Sequence, residues 1–311
     1  MGPLHFFSRL ALLSGLLMSG ASYAEPVPVT ATFSILGDLV QQVGGSHVEV
    51  STLVGADGDA HVYQPTPQAV RTLAKSKLLV SNGLAFEGWL ERLHESSGFT
   101  GTVVVASQGV KPLAMTEEEE HEEEHEHEHE AGHHHGAVDP HAWNDPANVL
   151  IYIDNITQGL IKVDPAHQAD YTANASAYKA RLRAIHEQFS AHFAALPTSR
   201  RIAITSHDAF GYLAHAYHLT LLAPQGLSTE AEPSAAQVAQ LIRQIRQQQI
   251  PALFVENISD PRLMEQISRE TQVTIGGKLY SDALSGPNGD APDYLTLLTH
   301  NLDTLLKALE P

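Results

Sequence analysis

The chain has 311 residues, contains no cysteine and carries a formal net charge of −18 with histidine neutral. This length accommodates two domains of ordinary size. The lack of cysteine excludes disulfides and thiolate metal ligands, and the acidic balance excludes the basic footprint of a nucleic-acid-binding protein. Ten glutamates and no Lys or Arg lie between Glu117 and His135, so one short tract carries more than half of the net charge. We therefore expect a protein that attracts cations.

The first 24 residues are typical of a secretory signal. Arg9 adds positive charge, an apolar run extends from Leu10 to Met18, and small residues precede a cleavage site after Ala24. The apolar run is shorter than the roughly 20 residues that a spanning helix needs, although a membrane anchor is the alternative. No cysteine follows the signal to carry a lipid. We predict that the mature protein is exported and soluble in the periplasm.

Beyond the signal, short apolar runs alternate with helical patterns. The first half predicts strands at 27–33, 47–54, 77–81 and 102–106 and helices at 35–43, 67–74 and 86–95. The second half predicts strands at 201–205, 219–222, 252–256 and 273–275 and helices at 209–217, 234–248, 262–270 and 292–309. Such alternation predicts an α/β protein with two lobes, 25–163 and 198–311, each with a mainly parallel sheet flanked by helices.

Residues 164–197, between the lobes, have the pattern of one long helix. Aromatic and apolar residues recur near the helical period from Pro165 to Leu196, without an internal Gly or Pro. Pro165 suits a first helical turn, and Asp164 is predicted to be the N-cap. A helix of this length would span about 45–50 Å and would form a rigid strut between the lobes. Two helices separated by a kink are the alternative.

Residues 116–136 form a low-complexity segment, which we call the His/Glu loop and predict to be disordered because it has nothing apolar to bury. Its imidazoles are mostly neutral near neutral pH and can bind metal, while its glutamates attract cations. The loop predicts several weak zinc sites beside the main site, and a solvated tract with incidental affinity is the alternative. Its seven histidines are His121, His125, His127, His129, His133, His134 and His135.

Three other histidines differ from the rest because each lies in a turn rich in Asp, Pro or Gly. These are His61, His141 and His207, whereas most remaining histidines fall inside helical patterns and are expected to be packed or on the surface. Asp282 follows the last predicted strand. Since ligands gather at the carboxyl ends of strands in α/β sheets, these four residues can meet in one cleft, with two contributed by each lobe.

The turns around His61, His141 and His207, together with residues 226–234, resemble the metal-binding solute-binding proteins of ABC transporters. This family includes the zinc and manganese receptors ZnuA, TroA and AztC and is also known as cluster A-I. Residues 255–260 and 279–285 resemble the AztC branch most. The resemblance covers the whole mature chain, including the His/Glu loop and the long helix. It implies a metal held between two lobes by His61, His141, His207 and Asp282.

The ligand types indicate which metal is held. Three imidazoles and one carboxylate form a tetrahedral set suited to Zn²⁺, whereas Mn²⁺ prefers oxygen-rich sites with more ligands. Some zinc receptors have Glu before the first histidine, where this chain has Ala60, so Asp282 is left as the oxygen donor. Related manganese receptors tend to have Glu in the place of His207. That histidine is therefore the most informative residue about the metal.

We expect a receptor that captures Zn²⁺ and delivers it to an ABC permease in the inner membrane. Four protein ligands leave no open position for a substrate, so the protein is not expected to be an enzyme; a zinc hydrolase is the alternative from another class. The same features would also suit a manganese-specific receptor or a metal-binding adhesin. The chain is expected to be a monomer, with a periplasmic zinc metallochaperone as a candidate partner. Glu256, Asp208 and Glu232 are candidates to orient the ligands.

Overall fold

The computed structural model describes residues 25–113 and 138–310 of the chain. The predicted signal and all seven histidines of the His/Glu loop therefore lie outside the described residues. Within the described ranges, every helix is too short or too polar to cross a membrane.

The first sheet follows the strands predicted for the first half. Its four parallel strands are β1 (Val27–Phe33), β2 (Val48–Val54), β3 (Leu78–Ser81) and β4 (Thr102–Val105), in the spatial order β2-β1-β3-β4. The helices are α1 (Ser34–Gly44), α2 (Pro67–Lys75) and α3 (Leu90–Ser97). The predicted start of the third helix at residue 86 is wrong. Gly83, Leu84 and Ala85 all have positive φ, which turns the chain away from a helical path before Leu90.

A helix that the sequence patterns did not predict follows the first sheet. This helix, α4, extends over Pro146–Val163, with the Asp145 side chain as its N-cap and Pro146 in its first turn. Its Gly159 lies against Val104 of β4, where an added Cβ would come within 2.4 Å of the valine Cγ2. The glycine therefore lets α4 approach the sheet closely.

Gly159→Ala is expected to lower the free energy of unfolding by about 1–2 kcal/mol. Because the added Cβ would come within 2.4 Å of a stiff β-branched side chain, the overpacking cost belongs in the upper part of the usual range, about 2–3 kcal/mol, and the helix propensity of alanine recovers about 1 kcal/mol. Urea denaturation would measure the difference. The neighbouring Gln158→Ala, on the exposed side of the same helix, is the control and should stay within about 0.5 kcal/mol of the native protein. A Gly159→Ala variant as stable as the control would contradict the close approach.

The long helix is present as one element. A short 3₁₀ turn, Pro165–His167, leads into α5 (Gln168–Ala195), which is 28 residues long and has no break. Asp164 is the N-cap residue of this 3₁₀ turn, but its side chain makes no capping hydrogen bond. Its carboxylate accepts hydrogen bonds from the Tyr171 hydroxyl and the His167 ring, both at 2.6 Å, instead of from a backbone N–H. The 3₁₀ turn moves the start of the α-helix beyond the reach of Asp164.

The second sheet repeats the order of the first. Its parallel strands are β5 (Ile202–Ile204), β6 (Thr220–Leu222), β7 (Leu253–Glu256) and β8 (Ile275–Leu279), in the order β6-β5-β7-β8. The helices are α6 (Gly211–Tyr217), α7 (Ala235–Gln248), α8 (Arg262–Thr271) and α9 (Tyr294–Leu309). The predicted strand at 273–275 ended too soon, because Gly276 and Gly277 inside β8 hide its strand pattern. The predicted strand also began before the observed start at Ile275.

Hydrogen bonds join the two halves close to the carboxyl ends of the strands. The Trp143 indole donates to the Ser281 carbonyl at 2.8 Å, and the Tyr294 hydroxyl donates to the Trp143 carbonyl at 2.7 Å. All three residues are nearly or fully buried. The segments that precede Asp282 and follow His141 are thereby fixed to each other, so the two sheets present their loops to one shared site.

Candidate metal centre

The four predicted site residues come from loops on both sheets. His61 lies in the loop after β2, and His141 lies between β4 and α4. His207 and Asp282 are each three residues beyond the end of a strand, β5 and β8 respectively. The carboxyl ends of parallel strands place these loops at the same edge of each sheet. The structure therefore brings together all four residues that the sequence singled out.

The potential ligand atoms form a compact cluster, with all four within 4.8 Å of one another. The His61 Nε2 lies 3.3 Å from the His141 Nε2 and 3.2 Å from the Asp282 Oδ2. The His207 Nε2 is 3.3 Å from the same carboxylate oxygen. Bonds of about 2.0 Å to a tetrahedral Zn²⁺ would place neighbouring ligand atoms about 3.3 Å apart. The cluster has the dimensions of a small tetrahedral site.

The site is closed to solvent except at one residue. His141, His207 and Asp282 have no exposed surface, while the His61 side chain is 5% exposed. The Asp282 carboxylate oxygens and the His207 Nε2 are buried and make no hydrogen bond of good geometry, although two imidazole nitrogens lie 3.2 and 3.3 Å from the Asp282 Oδ2. Burying such groups without a partner is costly, so a cation at the centre of the cluster would satisfy all of them.

Charge compensation shifts the pKa values of two site residues. Burial raises the pKa of Asp282, but His141 and His207 outweigh it and hold that pKa well below its ordinary value. Burial lowers the pKa of His207, but Glu256 and Asp282 outweigh it and hold that pKa well above its ordinary value. The buried carboxylate and imidazole therefore compensate each other electrostatically, and a metal at the His207 Nε2 requires that nitrogen to be deprotonated.

Two buried carboxylates orient the histidine rings. The Glu256 Oε2 accepts from the His207 Nδ1 at 2.5 Å, and its Oε1 accepts from the backbone N–H of Ser206 and of His207. The Asp139 Oδ1 accepts from both the ring Nδ1 and the backbone N–H of His141, at 2.8 and 2.9 Å. With Nδ1 acting as donor, each Nε2 lone pair faces the centre of the cluster, as in carboxylate–histidine–metal triads.

The sequence predicted only part of this support. Glu256 was a candidate and does contact His207, whereas Asp139 was missed although it lies two residues before His141. Glu232 is exposed, and Asp208 donates its backbone N–H to the carbonyl of Gln225. Asp59 supports His61 by accepting from its backbone N–H at 2.9 Å. An acidic residue two positions before a candidate histidine was the signal that could have found both aspartates.

The chain is similar to known metal-binding proteins over nearly its whole length. The family model for ZnuA, the periplasmic component A of the zinc-uptake complex, matches residues 29–308. The iron-binding protein YfeA of Yersinia pestis is 33% identical over 299 residues, which cover 94% of this chain and 91% of that protein. The manganese ABC transporter substrate-binding lipoprotein scaA of Streptococcus gordonii is 28% identical over 309 residues, covering 97% and 95% respectively.

A solved structure gives the same result for the fold. The periplasmic zinc-binding protein TroA from Treponema pallidum superimposes with a TM-score of 0.83 at 27% identity, covering 93% of this chain and 100% of that one. The three relatives are all named as metal-binding proteins, but their names refer to different metals: iron, manganese and zinc. The chain belongs to the ZnuA family of periplasmic metal-binding components of ABC transporters.

Proposed function

We propose that this protein captures Zn²⁺ in the periplasm with His61, His141, His207 and Asp282 and delivers it to an ABC permease for import. The observation that carries the proposal is the convergence of three imidazole nitrogens and one buried carboxylate within 4.8 Å. A site built from four protein groups holds its metal without an open position for a reacting substrate. Such a site suits a cargo receptor better than a hydrolase.

The choice of zinc depends on the chemistry of the donors. Nitrogen outnumbers oxygen in the cluster, and a tetrahedral arrangement of three imidazoles and one carboxylate suits Zn²⁺. Mn²⁺ prefers more ligands and harder, mostly oxygen donors, so a manganese receptor remains the second candidate. The manganese name of scaA favours testing it directly.

Metal analysis would separate the two candidates. Protein purified from the periplasm without added metal is expected to contain one zinc ion per chain. In competition titrations, a hundredfold excess of Mn²⁺ should not displace this ion, since divalent manganese lies at the weak end of the affinity order for such ligands. Protein that contains manganese, or that exchanges zinc for manganese under these conditions, would favour the manganese receptor.

Glu256→Gln and Asp139→Ala are each expected to weaken zinc binding by about 10–100-fold, because each removes the acceptor that holds a ligand ring through its Nδ1. In Glu256→Gln, the amide oxygen can keep the two backbone N–H groups that Oε1 accepts, and the N–H₂ group then faces the His207 Nδ1, which must become the acceptor. The proton moves to Nε2, the nitrogen that faces the metal. Chelator competition would measure the affinity, with Asp303→Asn, at a half-exposed side chain of α9 that pairs with Lys307, as the control. Unchanged affinity in both variants would exclude this supporting role.

We further propose that the His/Glu loop holds additional zinc weakly and supplies it to the main site. Only residues 136–140 separate its last histidine from His141, so metal on the loop would have a high local concentration at the cleft. Deleting residues 116–135 should lower the number of zinc ions bound and slow zinc uptake under chelation. If both were unchanged, the loop would be a solvated tract without this function.

The remaining parts of the proposal concern export and partners. Cleavage after Ala24 would release a monomeric receptor, and mass spectrometry of the periplasmic protein would locate its first residue. A periplasmic zinc metallochaperone is the proposed donor of zinc to the receptor. Permease and ATPase genes beside the gene for this chain would favour transport over the alternative role of a metal-binding adhesin.

A further inference from the structure

An unusual turn lies beside the metal centre. We call residues 82–87, which follow β3, the 82–87 turn. Gly83, Leu84 and Ala85 have φ values of 85°, 54° and 60°. Residues with a Cβ disfavour the left-handed region, and two of them in succession persist only when their surroundings hold them there. The turn therefore depends on contacts outside its own backbone.

A buried carboxylate supplies those contacts. The Glu87 Oε1 accepts from the Asn82 backbone N–H at 2.7 Å and from the Thr32 hydroxyl at 2.6 Å, and its Oε2 accepts from the Gly83 backbone N–H at 3.2 Å. Burial raises the pKa of Glu87. The glutamate thus joins the start of the turn to β1, although burying its carboxyl group is costly.

The turn reaches the metal centre along two paths. The Asn82 amide donates to the carbonyl of Pro140, which directly precedes His141, at 2.9 Å, and the Asn82 Oδ1 accepts from the Tyr152 hydroxyl. At the other end of the turn, the Phe86 ring packs edge-on against two of the ligand histidines. Its centroid lies 4.8 Å from that of His61 and 5.9 Å from that of His141.

We propose that the 82–87 turn is a positioning element of the metal centre, in which Asn82 fixes the backbone at His141 and Phe86 fixes the rings of His61 and His141. None of its residues is among the four proposed ligands. Glu87 holds the turn in the conformation that both contacts require. The proposal rests on the ligand set proposed above, because positioning matters only if these histidines bind the metal.

Asn82→Ala and Phe86→Leu test the two paths separately. Each is expected to weaken zinc binding by about 10–100-fold, the usual effect of losing a group that orients a ligand. Each should also change the visible absorption of the Co²⁺-substituted protein, because the ligands would no longer hold a regular tetrahedron. The control is Asn174→Ala, which removes a similar amide–carbonyl hydrogen bond, from α5 to the Val43 carbonyl, on another part of the first lobe. It should cost stability without changing zinc affinity or the Co²⁺ spectrum.

The native protein and His207→Ala are measured alongside. If His207→Ala keeps native zinc affinity, the proposed ligand set fails, whatever the turn variants do. If His207→Ala loses zinc while Asn82→Ala and Phe86→Leu retain native affinity and an unchanged Co²⁺ spectrum, only the positioning proposal is overturned. A loss of affinity equal to that of Asn174→Ala would also overturn it. Because Phe86→Leu leaves every hydrogen bond of Asn82 and Glu87 intact, it tests the turn even if Asn82→Ala does not fold.

Discussion

We expect the His207→Ala variant to bind Zn²⁺ about 1000-fold more weakly than the native protein, a loss of about 4 kcal/mol. The substitution removes one of four ligand atoms and also the ring that links two buried carboxylates, Asp282 and Glu256. Without the imidazole, the metal must recruit water in a place with no exposed surface. The largest effect of any single substitution is therefore expected at this residue.

Competition with a chromogenic chelator would measure the affinity, and metal analysis after purification would show whether the variant retains zinc. His215→Ala is a matched control, because it removes another histidine only eight positions along the chain, from the exposed surface of α6. Native affinity in His207→Ala would refute the ligand set. An equal loss in His215→Ala would assign the effect to the fold instead of the site.

Removing zinc is expected to lower the melting temperature by about 8–16 °C. A ligand that binds only the folded state, at a free concentration 1000 times its Kd, adds about 4 kcal/mol of stability. For a domain of roughly 150–250 residues, each kcal/mol corresponds to about 2–4 °C. The physical reason is that the metal joins loops from both sheets and provides a partner for the buried carboxylate of Asp282.

Calorimetry of the chelator-treated protein, before and after adding zinc, would measure this shift. The same additions to His207→Ala should change its melting temperature by less than a third as much at equal free zinc, because less of the variant is saturated. A native protein whose melting temperature does not respond to zinc would contradict a tight site between the two sheets. A shift that survives in the variant would place the stabilising metal elsewhere.

Most strands and helices could be predicted from the sequence because both lobes alternate buried parallel strands with helices. Strands buried on both faces appear as short apolar runs, and the helices between them have a different period. The bounds of β8 were predicted wrongly because two of its residues are glycines that the packing requires. A Cβ added at Gly276 would contact Phe254, and one added at Gly277 would contact Thr304. Close packing therefore requires glycine at both positions, and glycine is not typical of a strand.

Helix α4 was overlooked for a similar reason. Asp145 and Pro146 form a normal helix start, but buried positions occur around much of the helix, including Tyr152, Ile153 and Ile156. A helix covered on several sides lacks the single apolar stripe that identifies a surface helix. The left-handed backbone at Leu84 and Ala85 was equally invisible, because no local sequence preference favours it.

The sequence by itself determined the α/β class with two parallel sheets, the long helix, and the candidates His61, His141, His207 and Asp282, because strand ends and polar turns are local patterns. Only the tertiary structure decided that these four lie within 4.8 Å of one another, with Asp282 fully buried. It also decided that Asp139, Glu256 and the 82–87 turn support them. The distances and burial that define such a site arise from contacts between residues far apart in the chain, and no local pattern contains them.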